Sequence, residues 1–350
     1  MNFIVRNARP EDSEKLIELT SLAPMKGTIG LRIDRQPDFF RLLHLSESFI
    51  VLVAENNEQQ LIGCFAATKN KMRIANTVRD IYYLRDLKVH PEYKGSLIAY
   101  SLVKNMYSIL LKEGADILCC TMASGNDAVV PFFKGRAGIP AFEEVAKYNV
   151  YQILPSYNSK FSNAQPSEDK TSLADFFNRQ FSQFILKPCE ISPEELDDCI
   201  NFSTLNEKSI SAAIAAFDPS FCKQNIVTHY SFSIAALLNT LRLLKHFVRL
   251  PSLPEKHVPL KIIYAKYLAF AGNESCLKKV IQQLRHYAFN KDYHLIAIAV
   301  DEKDIGMNKL LKPLSRFVFK TSLLVTSLKK NDSLISTIKQ GRCYEDYSLV

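Results

Sequence analysis

The stretch Asp86-Leu87-Lys88-Val89-His90-Pro91-Glu92-Tyr93-Lys94-Gly95, with the twenty or so residues after it, decides how this chain is read. Residues 81–89 read as a strand, and His90-Pro91 bounds it, because proline has no N–H to donate to a ladder. Tyr93-Lys94-Gly95-Ser96 reads as a turn. Ile98, Leu102, Val103, Met106, Ile109 and Leu110 then recur with the 3.6-residue period of an amphipathic helix, which Gly114 ends. A strand that turns directly into a helix leaves the helix's first free N–H groups at the strand's C-terminal end. Those groups and the positive end of the helix dipole seat an anion. Gly95 removes a side chain where backbone must approach that anion, and Lys94 adds a cation.

Working outward, Phe3–Asn7 reads as a short strand and Arg9-Pro10-Glu11-Asp12 as a helix start, with Leu16, Ile17 and Leu19 on the apolar face. The pattern predicts a second helix over 37–45, a hairpin of strands 49–54 and 61–68, a strand over 117–121, a helix over 126–134 and a strand over 148–154. The resulting order is β-α-α-β-β-β-α-β-α-β. Residues 155–171 are rich in Ser, Asn, Pro and charge and read as a linker, with Leu173, Phe176, Phe177 and Phe181 leading out of it. Beyond it the opening repeats weakly. Phe184-Ile185-Leu186-Lys187 echoes Phe3-Ile4-Val5-Arg6, and strand 260–270, helix 274–289, strand 294–300 and helix 308–317 renew the β-α-β-α order. Three units are expected: 1–155, a linker with a short helix over 156–183, and 184–350.

The residues of 86–95 resemble motif A of the GNAT superfamily of N-acetyltransferases, in which R/Q-x-x-G-x-G/A cradles the pyrophosphate of acetyl-CoA. Lys94 falls at the basic position, Gly95 at the extra glycine common after it, and Ala99 at the last position; Leu97 stands where the family has its middle glycine. Asn126 matches the family's Asn near the pantetheine arm. Seven residues on, Phe133 stands where many members carry a Tyr that protonates the leaving thiolate. The resemblance implies an α/β fold of two GNAT-like domains, the second degenerate, each a mixed, mostly antiparallel sheet flanked by helices. It also implies that the strands ending at Val89 and starting at Ile117 splay apart, with pantetheine between them bonded to the backbone of Leu87 and Val89. The expected acyl-CoA site comprises Leu87, Lys88, Val89, Lys94, Gly95, Ser96, Leu97, Ile98, Ala99, Asn126 and Phe133.

Asp86 is the candidate general base, since bases in this superfamily often lie on that strand and an amine must lose a proton before it attacks; a surface carboxylate paired with Arg85 or Lys88 is the competing reading. Tyr82 and Tyr83 alternate faces, so at most one looks into the cleft; Tyr83 is the candidate proton donor, and a packed sheet aromatic is the competing reading. Cys119 and Cys120 read as core, because no His neighbours them, and Asp301, Glu302 and Asp304 read as a solvated loop. The turn Ala271-Gly272-Asn273-Glu274 leads into a helix with no basic residue, so the second half has no phosphate loop.

Composition bounds the rest. At 350 residues with 47% hydrophobic and 23% charged side chains, the chain has material for more than one core. A net charge of +8 helps to draw anions, but without a Lys/Arg run it does not point to nucleic acid. Eight cysteines with no C-x-x-C, and histidines with no H-x-x-x-H, argue against a disulfide framework and a metal site. No signal peptide is visible and no apolar stretch approaches the roughly 20 residues of a span, so a cytoplasmic protein without a membrane partner is expected. Its co-substrate would be acetyl-CoA and its acceptor a small-molecule or peptide amine, attacked directly; homo-oligomers are compatible with the sequence. The alternative is a non-catalytic acyl-CoA-binding or scaffolding module.

Overall fold

The computed structural model describes residues 2–350 apart from 23–28, 126, 136–137, 207–208 and 245–246, with only the backbone at 127–129. The first half comprises β1 (Phe3–Asn7), α1 (Ser13–Ser21), β2 (Ile29–Asp34), β3 (Ser48–Asn56), β4 (Leu61–Ile74), β5 (Thr77–Val89), α2 (Ile98–Lys112), β6 (Ile117–Ala123) and β7 (Glu143–Ile153). The remainder comprises α3 (Lys170–Phe181), β8 (Leu186–Pro188), β9 (Cys199–Asn206), β10 (Ser209–Phe217), β11 (Gln224–Tyr230), α4 (Phe232–Leu244), β12 (Pro259–Leu260), β13 (Ile262–Phe270), α5 (Glu274–Asn290), β14 (Leu295–Asp301), α6 (Ile305–Leu311), β15 (Ser315–Ser327) and α7 (Asp332–Gln340).

One sheet runs through both halves in the order β1-β3-β4-β5-β6-β15-β7-β14-β13-β10-β9, with β8 attached to β4. Its pairs are antiparallel except β5–β6 and β13–β14, each the joint between a strand and the strand that follows its helix. The halves exchange a strand at the centre. β6 pairs with β15 from the far end of the chain, while β7 pairs with β14 as well as β15. The run β3-β4-β5-β6-β15 on one side thus answers β9-β10-β13-β14-β7 on the other, about a pseudo-twofold between β7 and β15. Helices repeat the correspondence. Ile98, Leu102, Val103, Met106 and Leu110 of α2 bury against one face of the first half, as Leu277, Val280, Ile281 and Leu284 of α5 do in the second. On the opposite face lie α1, through Leu16, Ile17 and Leu19, and α3, through Leu173, Phe176 and Phe177. Each half is therefore a mixed, mostly antiparallel sheet flanked by helices. A small sheet, β12-β11-β2, adds a second link between the halves.

Several local expectations change. Residues 37–45 hold only a 3-10 turn, Leu43–Leu45. Asp38 accepts from the Phe40 N–H two residues on (3.1 Å), a local bond that competes with helix. β2 is an addition to the expected order. The segment after β6 is a 3-10 helix, Asp127–Phe133, with Pro131 inside it. The helix expected over 308–317 is α6 followed by a 3-10 turn, Lys312–Leu314; Pro313 lacks the N–H to continue it, and Ser315 begins β15. The echo of β1 at 184–187 does not open the second half's sheet. Leu186 instead pairs with Ile74 at the end of β4, so β8 belongs to the first half's edge. Asp301 is buried rather than solvated, accepting from the backbone N–H groups of Lys303 (3.0 Å) and Cys343 (2.8 Å).

Candidate functional site

β5 and β6 pair only over Ile81–Tyr83 and Ile117–Cys119. Past Tyr83, β5 keeps its bonds to β4, while β6 leaves with β15, so the β6-facing edge of β5 is open from Leu84 to Val89. β5 is also bulged at this place. Ala66 opposes Arg85 and Cys64 opposes Lys88, leaving Asp86 and Leu87 opposite Phe65 alone, and Asp86 takes φ = 54°, a left-handed value that Asp tolerates better than most residues. The splay leads to His90, a 3-10 turn over Pro91–Tyr93, and then Lys94, Gly95, Ser96 and Leu97, all exposed. Gly95 has φ = 81° and open space where a β-carbon would be.

Leu97 occupies the N-cap of α2 and offers no side-chain cap; Ser96 Oγ lies 3.4 Å from the Ile98 N–H. Leu97 is 73% exposed, so its side chain points into solvent rather than into the turn. Ile98 is buried beneath the loop, seated where Gly63 of β4 gives it room. Leu87, Val89 and Phe133 pack at the margin of the same core, and Phe133 meets the Phe142 ring edge-on with centroids 5.1 Å apart. Lys88 sits opposite Cys64 in the β4–β5 register, and Ala99 lies in the first turn of α2. Asn126 lies outside the described residues.

The second half answers this geometry incompletely. β13 and β14 also pair over only three residues each, and a cavity of about 310 Å³ opens at the C-terminal end of β13, between Phe181, Phe184, Gly272 and the Asp304–Arg342 ion pair. The helix that follows is capped, however: Asn273 accepts from the Ser275 N–H at 3.0 Å. The N-cap side chain itself thus takes a first-turn N–H there, whereas at α2 the N-cap Leu97 offers none and Ser96 reaches only the Ile98 N–H.

Around the bulge of β5 the structure collects charge from distant parts of the chain. Asp86 receives two bonds from Arg35 Nη2, at 2.9 and 3.0 Å, and its side chain is 13% exposed. Burial alone would raise its pKa; the charges of Arg35, Arg85 and Lys88 and the Arg35 hydrogen bond outweigh that and hold Asp86 below the usual carboxylate range. Asp86 is thus an ion-paired carboxylate of low basicity, partnered by Arg35 and, with Nε 3.4 Å from its carboxylate, by the anticipated Arg85. The small sheet brings Lys223 to the same place, and its Nζ donates to the Ser348 and Val350 oxygens at 2.8 and 2.6 Å. Burial, reinforced by Arg35 and Arg85, pushes the Lys223 ammonium down to about 7. Arg85 Nη2 donates to the Leu349 carbonyl at 2.6 Å, which ties the final segment against β5.

Glu345, from that final segment, accepts from Thr121 Oγ1 of β6 at 2.5 Å, and its Oε2 is buried without a hydrogen-bond partner among the described residues. Burial raises its pKa to about 7; the Thr121 bond opposes that shift and the Asp346 charge adds to it. Tyr83 is on the same face, where burial and then the Glu345 charge lift its phenol well above the ordinary value, so it retains its proton. Tyr82 turns to the α2 face and donates to Glu113 at 3.3 Å. Burial raises the thiols of Cys119 and Cys120, which remain protonated core groups. Arg35, Lys223 and Glu345 were not singled out from sequence. The partners of Arg35 and Glu345 lie 51 and 224 residues away, and no local pattern marks such pairing. Among the described residues no His/Cys/Asp/Glu group is placed to hold a metal ion.

Comparison with known proteins agrees with this geometry. Residues 18–138 match the model of the acetyltransferase (GNAT) family. No curated protein matches the chain. Among solved structures, Saccharomyces cerevisiae N-myristoyltransferase with bound myristoyl-CoA aligns over 93% of this chain and 82% of its own, with a TM-score of 0.59 and 13% identity. A second structure of that enzyme with myristoyl-CoA gives a TM-score of 0.61 at 12% identity over 93% and 79% of the two chains. At such identities the likeness is one of fold, and it extends across both halves. The bulged, splayed β5 and the start of α2 lie inside the segment, residues 18–138, that is similar to the acetyltransferase (GNAT) family.

Proposed function

We propose that the protein transfers an acyl group from acyl-CoA to an amine. The observation that carries the reading is the open edge of β5 running from its bulge at Asp86 to the uncapped start of α2. Pantetheine would add to that edge as a short strand, bonding to backbone at Leu87 and Val89. The pyrophosphate would lie over Gly95 to Ala99 with Lys94 beside it. Leu97 is turned outward, so its side chain does not fill the turn. The thioester would then rest near the bulge, where backbone N–H groups no longer bound to β6 can polarise its carbonyl.

The acceptor amine would approach from the face that carries Tyr83, Arg85 and Glu345. Attack on the thioester carbon forms the amide and expels the thiolate, and the amine's proton passes to a base. Two carboxylates are candidates. Asp86 is held ionised by Arg35 and has little affinity for a proton, so we assign it to fixing Arg35 and the bulge. Glu345, poised near pH 7 with one oxygen unpartnered, suits the proton transfer better. Tyr83 keeps its proton and would return one to the thiolate, in place of the phenol that Phe133 lacks.

Acetyl-CoA is the donor suggested by motif A, and myristoyl-CoA the one suggested by the fold's neighbours. Calorimetric titration of both into the protein, beside a Lys94→Glu/Gly95→Pro variant, separates them. Binding of either that is lost in the variant supports the site, and turnover with a panel of small and peptide amines supports transfer. Binding without turnover leaves an acyl-CoA-binding scaffold, and no binding by the folded protein overturns the reading.

A further inference from the structure

α4 presents an outer face that the rest of the molecule does not cover. Leu238 is its buried anchor, with Ile234 and Ala235 packed beside it against Val227, Tyr230 and Leu260. The opposite arc carries Phe232, Ala236, Leu237, Leu243 and Leu244, with Ser233 and Thr240 between them and no charge. Phe232 is 90% exposed and Leu243 70%, and Phe247 just beyond the helix is 85% exposed. Exposed faces of soluble helices are ordinarily charged, and a contiguous apolar one marks an interaction surface.

The charge around this face identifies what covers it. Between Asp218 and Glu255 the sequence contains no acidic residue, whereas Arg242, Lys245, His246 and Arg249 follow one another within eight residues of sequence. Arg242 lies at the flank of the apolar arc, donating to Asn239 at 3.0 Å, and Arg249 stands over the Tyr157 ring at 4.5 Å. Asp292 approaches the far end of the segment, where it accepts from Ser252. A second copy of this chain would bring the same cations to the contact and be repelled. An apolar arc bordered by cations and free of acids fits an anionic bilayer surface, with Phe and Leu entering the acyl boundary and Arg242 and Arg249 near the phosphates.

We propose that α4, with Phe247 and Arg249 beyond it, forms a docking surface for anionic lipid membranes. The expectation of no membrane partner came from the lack of a span, and among the described residues no helix is long and apolar enough to cross one. A helix lying in the interface needs no such length. The proposal is independent of the acyl-transfer reading and would stand without it.

Co-sedimentation with vesicles tests it, comparing phosphatidylcholine alone with phosphatidylcholine mixed with phosphatidylserine. Roughly tenfold or stronger partitioning onto the anionic vesicles, reduced by salt, is expected. A Phe232→Ser/Leu243→Ser/Phe247→Ser variant should lose it while keeping its circular dichroism and thermal midpoint, since all three side chains face solvent. Absence of wild-type binding, or equal binding by the variant, overturns the proposal. So does a wild-type dimer in sedimentation velocity that the variant abolishes without any vesicle binding.

Discussion

Burial brings Glu345 and Lys223 to about the same pH from opposite directions, and each leaves a separate mark. With a folded pKa of about 7, above its ordinary 4.5, Glu345 binds more protons folded than unfolded, so its contribution to stability is full below 4.5 and declines as pH rises toward 7. Lys223, at about 7 against 10.5, binds fewer protons folded, and its contribution grows as pH rises from 7 toward 10.5. Denaturant unfolding across pH should therefore show stability with a shallow minimum near neutrality; Glu345→Gln should flatten the acid limb and Lys223→Met the alkaline one. If Glu345 is the proton acceptor, kcat/KM rises with pH through about 7, and Glu345→Gln removes that rise and lowers the rate by on the order of a hundredfold. Asp86→Asn should weaken folding more than it reshapes the pH–rate profile, because it leaves Arg35 buried without its carboxylate partner. Lys94 and Gly95 could be picked out from sequence because a turn between strand and helix is a local signal. Arg35, Lys223 and Glu345 could not, since each acquires its role only when the chain folds back on itself.

At the scale of elements, the position of α2 rests on a single missing side chain. A β-carbon on Gly63 would lie 2.8 Å from Ile98 Cγ2 and 3.0 Å from Leu102 Cδ1, so β4 admits the helix only because residue 63 is glycine. Gly63→Val should destabilise the protein by about 1–3 kcal/mol in denaturant titration and weaken acyl-CoA binding, because displacing α2 displaces its N-terminus. The apolar period of α2 was readable because it is regular and long. The helix predicted over 37–45 failed because Asp38 takes up a nearby amide, and the one over 308–317 because Pro313 interrupts it; in both the right residue types were present and local chemistry divided them differently. β8 shows a further limit. Its likeness to β1 is real in sequence, yet the free edge it found was that of β4.

For the whole molecule, the exchange of β7 and β15 is decisive. Neither half completes its sheet from its own sequence: β6 is covered by β15, and β14 by β7. A fragment of residues 1–155 should therefore present the unpaired edges of β6 and β7 and self-associate, which size-exclusion chromatography would reveal. The intact chain should unfold in one transition in calorimetry, the two halves sharing the strands that close them. The pseudo-twofold arrangement was foreshadowed by the recurring element order, but the exchange was not, because strand patterns specify which face is apolar and not which neighbour lies alongside. The same feature bears on how the protein is made. When β6 leaves the ribosome its partner is still about 190 residues from being synthesised, which at roughly 5–20 residues per second leaves that edge bare for on the order of 10–40 seconds. During each round of translation the nascent chain thus passes through an interval in which the hydrogen-bonding groups of β6 are available to any passing strand, and a chaperone holding that edge until β15 arrives would raise the yield of native protein.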